Sequence, residues 1–340
     1  MIKGANFDFK TKLRTLEDDI YKIMKAIEVI EKKLEIKDIE LPVLKDNEVL
    51  IKVKAAGLNR ADIAQKNGLY PPPPGESEIL GLECSGIIEN IGKNVNSKKP
   101  GDEVIALLAG GGYAEYVTCP ENHTILKPPK LSWAEGASIP EVYATCWLNL
   151  FIEANMKEGD KIVFHAGASG IGTAGIQLAQ AFGCDSFVSA GTQEKIDFCL
   201  NLGASAGEIR SKDIFSKIKE WSPNGVDIIL DPVGAEYFEK NLSVLGLEGK
   251  LIIIGLMSGA KANINLGHLM IKRHKVIGST IRARNLETKT RVMEDLSSEV
   301  MPLFDSGALK PIIYQILSFE DCENCLLYTS DAADEGLGVD

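Results

Sequence analysis

No stretch of the 340-residue sequence is apolar over the roughly 18–20 residues that a bilayer span requires, so no membrane helix is expected. The opening residues, MIKGANFDFKTKLRTLEDD, are too polar for the apolar region of a secretory leader. Cysteine is sparse and odd in number; seven scattered residues suit a reducing compartment better than a disulfide framework. These absences together predict a cytoplasmic protein. Clustered Lys and Arg are missing too. With a formal net charge of −11 the chain has no composition for a nucleic-acid surface.

What is present is ordinary for a globular chain: 45% hydrophobic residues, 25% charged residues and 32 glycines. A chain this long exceeds what one core organises, so two domains are expected. Residues 1–23 carry no periodic apolar pattern and are expected to be a non-native or extra extension. After Cys325 the apolar periodicity stops abruptly at LLYTSDAADEGLGVD. That string resembles the translation of a sequencing-library transposon end, so 326–340 is expected to be artefactual; a natural acidic tail is the alternative.

The chemistry is concentrated in KIVFHAGASGIGTAGIQLAQAFG, residues 161–183. Lys161 to Ala166 is a short β-branched run of the kind buried in a parallel sheet. Gly170, Gly172 and Gly175 follow with G-x-G-x-x-G spacing, and an apolar helix is predicted from Thr173 to Phe182. Strand, glycine turn and helix in this order form the opening of a dinucleotide fold. Residues without Cβ let the backbone approach a pyrophosphate, and the helix N-terminus meets its charge. The competing reading is a glycine-rich helix start that binds nothing.

Residues 24 to about 140 are strand-rich and punctuated by proline. Glu48 to Lys54 reads as a strand, and Ala55 to Asp62 turns into a short helix. Tyr70-Pro-Pro-Pro-Pro-Gly75 must be a rigid loop. Leu80 to Glu89, a strand after the turn at Lys99 to Asp102, and Gly110 to Val117 complete a small, irregular β-domain. A helix from about Val142 to Asn155 then leads into the nucleotide domain.

The segments AAGLNRADIAQKNGLYPPPPG, ILGLECSGIIENIG, GDEVIALLAGGGYAEYV and HAGASGIGTAGIQLAQAFG together resemble zinc-independent medium-chain dehydrogenase/reductases, within them the NADPH:quinone oxidoreductase family. The likeness runs nearly end to end from Met24 to Cys325. It implies an α/β fold with a GroES-like β-domain and a doubly wound Rossmann domain. The implied boundaries are 24–143 for the catalytic domain, 144–279 for the NADP-binding domain and 280–325 for the return to the catalytic domain. The active site would lie in the cleft between them. The family's closing segment ends in a strand of the β-domain, and here the foreign tail stands in its place.

Zinc-dependent relatives hold their metal with a Cys in the first-domain turn and the His of a G-H-E motif. The corresponding residues here look like Asn59 and Leu82, neither of them a suitable ligand, and only Cys84 and Cys119 fall where a structural zinc lobe needs four cysteines. No metal site is expected. Cys84 reads as a small core residue, and His123 and His165 as packing or surface histidines.

The second Rossmann strand is read as Asp185 to Ala190, and its end carries no carboxylate before Glu194. An NAD site usually places Asp or Glu there for the ribose hydroxyls. Gly191, Thr192 and the nearby Lys195 suit a 2′-phosphate instead, which predicts NADP(H). Arg210 could add a second cation; a solvated Lys195 is the alternative. By resemblance, Ser169, Gly170, Ile171, Gly172 and Thr173 hold the pyrophosphate. Gly255, Leu256 and Met257 flank the nicotinamide ribose, and Thr280, Ile281 and Arg282 close over the cofactor. Arg282 and Arg284 are otherwise surface cations.

Hydride transfer to a quinone needs positioning and stabilisation of growing negative charge more than acid–base machinery. Asn59 can donate an amide N–H and Tyr70 a phenolic O–H, both where the family lines its substrate cleft; Tyr70 could instead pack against the prolines. The expected activity is metal-free hydride transfer from NADPH to a quinone, by a homodimer. A conjugated enal or enoyl acceptor and a non-catalytic NADPH-binding role are the alternatives.

Overall fold

The computed structural model describes residues 23–210 and 213–321. The expected tail 326–340, and the expected extension apart from Ile23, lie outside the described residues. Among those described, three sheets form. Strands β1 (Ile23–Ile30) and β2 (Lys33–Glu40) pair antiparallel as a ribbon. Strands β3 (Glu48–Ala56), β4 (Glu83–Ile91), β5 (Glu103–Leu107), β6 (Tyr116–Pro120) and β7 (Thr124–Leu126) make an antiparallel sheet in the order β6-β3-β4-β5-β7. Its core is Val49, Ile51, Cys84, Ile88, Val104 and Ala106, so Cys84 is indeed a buried packing residue.

The third sheet is parallel throughout. It consists of β8 (Lys161–His165), β9 (Asp185–Ala190), β10 (Ala206–Ile209), β11 (Val226–Asp231), β12 (Leu245–Ile253) and β13 (Lys275–Gly278). Their order is β10-β9-β8-β11-β12-β13, with the first two crossovers running one way from β8 and the later ones the other way. This is the doubly wound arrangement, whose strand order reverses beside β8, where ligands bind beyond the carboxyl ends. Successive residues of a strand point to opposite faces, and both faces here are covered. Ile162, Phe164, Ile228, Leu230 and Ile252 pack into one core, while Val163, Phe187, Ile229 and Leu251 pack into another.

Three sequence expectations shift. The helix expected over 142–155 is an α-helix at Pro140–Trp147 continued by a π-helical turn at Leu148–Glu153. Within it the Asn149 amide donates to the Thr145 carbonyl at 2.8 Å. The strand expected at Gly110 to Val117 begins later, at Tyr116. Gly110 instead threads so close to the Ser77 carbonyl that a side chain would collide, and Gly112 packs tightly on the backbone of Gly81 and Glu83. The glycine-turn helix starts earlier than expected, at Gly170, and runs to Ala181.

Candidate active site

The turn after β8 is tight because its atoms touch. Ala166 sits in the left-handed region at φ 57°, a strained conformation for a residue with a Cβ. A Cβ on Gly172 would run into the Gly167 carbonyl, and one on Gly175 into the Phe164 ring. The first contact closes the turn and the second lets the helix Gly170–Ala181 lie flat on β8. Ser169 caps that helix, its Oγ accepting the Gly172 N–H at 3.1 Å.

The turn opens into a cavity of about 1910 Å³ between the parallel sheet and the β-domain. Of the residues singled out in the sequence, Ser169, Gly170, Ile171, Gly172, Gly191, Lys195, Arg210, Gly255, Leu256, Met257, Thr280, Ile281 and Arg282 line it, together with Asn59 and Tyr70. Thr173 and Thr192 are not among the lining residues. Thr173 Oγ1 donates to the Gly170 carbonyl at 3.0 Å inside its own helix. Thr192 caps the next helix by accepting the Lys195 N–H at 3.3 Å.

At the sheet end of the cavity, β9 finishes at Ala190, and Lys195 and Arg210 flank the wall at Gly191. The Arg210 Nε is buried without a hydrogen-bond partner among the described residues. A buried donor left unmatched is costly, and a phosphate oxygen is the acceptor such a cationic donor fits. The residues present therefore fit a dinucleotide carrying a phosphate at this end. His165 beneath the turn is a packing histidine: Nδ1 pairs with Ser189 Oγ at 3.0 Å and Nε2 with Asn241 Oδ1 at 2.8 Å.

The other end of the cavity is built from the β-domain. Asn59 precedes the short helix Arg60–Lys66 and its Nδ2 donates to Glu83 Oε1 at 2.8 Å. The second oxygen of Glu83 accepts the Glu141 N–H at 2.8 Å. Asp62, on that short helix, accepts the N–H groups of Asn59 and Gly81 and the Tyr113 hydroxyl. Burial pushes the carboxyls of Asp62 and Glu83 up to about 6 and about 7, against these hydrogen bonds. Glu141 is raised to about 8 by burial and then by the charges of Glu83 and Asp62, with Arg282 and Thr145 opposing.

Arg282 is a buried residue, not a surface cation. Its guanidinium donates to the Ala109 carbonyl at 2.7 Å, the Gln65 Oε1 at 2.7 Å and the Tyr70 carbonyl at 3.3 Å. It also stands 5.3 Å from the centre of the Tyr70 ring. Tyr70 is thus held by Arg282 with its ring half-buried at the cavity wall. Arg284 pairs with Glu153 at 2.6 Å.

Glu83, Glu141 and Asp62 did not stand out in the sequence. The signal available was a carboxylate set in apolar surroundings, Glu83 after Ile79-Leu80-Gly81-Leu82 and Glu141 after Ile139-Pro140. Among the described residues no group of three or more His, Cys, Asp or Glu has metal-binding geometry.

The chain matches two families in sequence, "Alcohol dehydrogenase GroES-like domain" over residues 45–129 and "Zinc-binding dehydrogenase" over residues 170–298. Quinone oxidoreductase of Homo sapiens is 32% identical over 301 residues, covering 86% of this chain and 89% of that protein. The synaptic vesicle membrane protein VAT-1 homolog of Danio rerio is 30% identical over 287 residues, 80% of this chain, and the chain spans 59% of that relative's length. In three dimensions the CurK enoyl reductase superposes with a TM-score of 0.80 at 25% identity, covering 92% of this chain and 97% of that one.

Proposed function

The chain belongs to the medium-chain dehydrogenase/reductase superfamily, with the quinone oxidoreductases among its relatives, and on that premise we propose that it is an NADPH-dependent quinone reductase. The observation that carries this reading is a single cavity lined at one end by the glycine turn, Lys195 and Arg210, and at the other by Asn59 and Tyr70. When bound, the reduced nicotinamide supplies a hydride. The chain supplies the rest. The turn from Ser169 to Gly172 receives the pyrophosphate, and Thr173 and Thr192 brace that turn and the next helix from behind. Lys195 and Arg210 bind the 2′-phosphate that a carboxylate at the end of β9 would repel. Gly255, Leu256, Met257, Thr280, Ile281 and Arg282 form the wall along the nicotinamide ribose. Asn59 Nδ2 and the Tyr70 hydroxyl donate to the acceptor oxygen as it gains charge.

The proposed reaction uses no metal. One matching family is described as zinc-binding, but the first-domain turn offers the amide of Asn59 and the G-x-E segment offers the apolar Leu82. We propose residues 24–143, 144–279 and 280–325 as the domain divisions, in a cytoplasmic homodimer. Exposed Leu266, Met270 and Ile271 beside the edge strand β13 support association through that side.

A second reading, reduction of a conjugated enal or enoyl group, is favoured by the likeness to the CurK enoyl reductase. The test is oxidation of NADPH and NADH, side by side, with an ortho-quinone and with a 2-enal. Quinone-dependent turnover with NADPH preferred supports the leading reading. Turnover with the enal alone selects the second, and tight NADPH binding with no turnover leaves a non-catalytic binder.

A further inference from the structure

We propose that Glu141 is the proton donor of this site, delivering its carboxyl hydrogen to the acceptor oxygen as hydride arrives. The inference rests on the reductase reading above and adds a residue to it.

Glu141 lies where the two ends of the cavity meet. It is the second residue of the helix Pro140–Trp147, and the following residue, Val142, borders the glycine turn: a Cβ on Gly170 would stand 3.0 Å from Val142 Cγ1. Its own N–H is tied to Glu83, which also holds the Asn59 amide. One carboxylate therefore sets both the oxygen-binding amide and the start of the Glu141 helix. Asn59 and Glu141 both line the cavity.

The three carboxyls differ in what they are free to do. Both oxygens of Glu83 are engaged inside the protein, and so are both oxygens of Asp62. Glu141 is half-buried at the cavity wall, and its carboxyl has a single hydrogen bond among the described residues, from Thr145 Oγ1 at 3.5 Å. The groups acting on it come from every neighbouring element. Glu83 on β4 and Asp62 on the short helix disfavour its charge. Arg282 opposes them, and Tyr70 and Lys289 also feel its charge. Burial with two nearby carboxylates keeps it a neutral acid at pH 7, the state a donor requires.

The step balances. The acceptor gains two electrons and one hydrogen as hydride, which leaves one of its oxygens anionic. That oxygen forms an O–H bond with the Glu141 hydrogen while the Glu141 O–H breaks, leaving a carboxylate that takes a proton from water before the next cycle. The oxidised nicotinamide is the other product.

The test compares the full chain with Glu141→Gln, which keeps shape and removes the acid. With NADPH and ortho-quinone, kcat is expected to fall about 10²-fold, the size usual for a lost general acid. The fall of wild-type kcat above about pH 8 should vanish in the variant, with NADPH affinity by fluorescence titration unchanged. In the cofactor-free protein, the protonated-carboxyl C=O infrared component that is lost as pH passes 8 should be absent in Glu141→Gln, while those of Glu83 and Asp62, lost at lower pH, remain. Wild-type turnover with an unaltered rate and pH profile in the variant would overturn the proposal and leave the reductase reading standing. An infrared component titrating near pH 8 that survives the substitution would overturn it equally. A wild-type protein inert with quinone and enal alike would overturn the reductase reading itself, and the donor role with it.

Discussion

The amide of Asn59 is tethered to the carboxylate of Glu83, Nδ2 to Oε1, at 2.8 Å. A carboxylate only accepts, so this bond orients the amide and leaves one N–H of the same nitrogen for the cavity. Asn59→Asp would set two carboxyls face to face. Asn59→Ala is expected to cost about 1–3 kcal/mol, the penalty for stranding a buried partner, and Asn59→Asp more at pH 8 than at pH 5. Urea unfolding at the two pH values checks both statements.

The buried carboxyls make stability fall with alkalinity. Glu83 is held at about 7 and Asp62 at about 6, above their ordinary values of 4.5 and 3.8. The folded state therefore binds more protons than the unfolded state between about pH 4 and pH 7. By linkage its stability drops as pH rises through that window. Glu83→Gln is expected to flatten the profile, removing a fall on the order of 2–3 kcal/mol between pH 4.5 and pH 8. A profile as steep as the wild type's would show that Glu83 does not titrate in this range.

Lys195→Glu is expected to weaken NADPH about 10–100-fold and NADH far less, the span of one lost charge-assisted hydrogen bond. Arg210→Ala should act in the same direction. Equal loss for both dinucleotides, measured by fluorescence titration, would remove the 2′-phosphate from this end of the cavity.

Gly175→Ala drives a methyl group into the Phe164 ring. Overpacking of a tight core typically costs about 1–3 kcal/mol. Thermal unfolding should register that loss, and Phe164→Leu in the same chain should recover part of it by making room.

How legible was this in the sequence? The glycine turn could be read because its determinants are adjacent: strand, Gly170, Gly172, Gly175 and helix follow within one short segment. The parallel sheet announced itself through the β-branched run from Lys161 to Ala166, whose Ile162, Val163 and Phe164 are buried on both faces. The acidic wall was hidden for the opposite reason. Asp62, Glu83 and Glu141 come from three distant segments, and the apolar residues before Glu83 and Glu141 are too weak a local mark of burial to single them out. Arg282 was equally opaque, since its three acceptors lie in the β-domain, far away in sequence. The glycines at 110–112 misled because a strand-like apolar run hid their close backbone contacts.

Arg282 has the wider consequence. It follows four residues after β13 ends at Gly278, beside Ile281 at the cavity wall, and grips Ala109, Gln65 and Tyr70 of the β-domain, so it stands where the chain crosses from the parallel sheet. The returning segment is pinned to the β-domain like a strap with its buckle closed. The segment that follows β13 and the Tyr70 loop are thereby fastened to each other through one guanidinium.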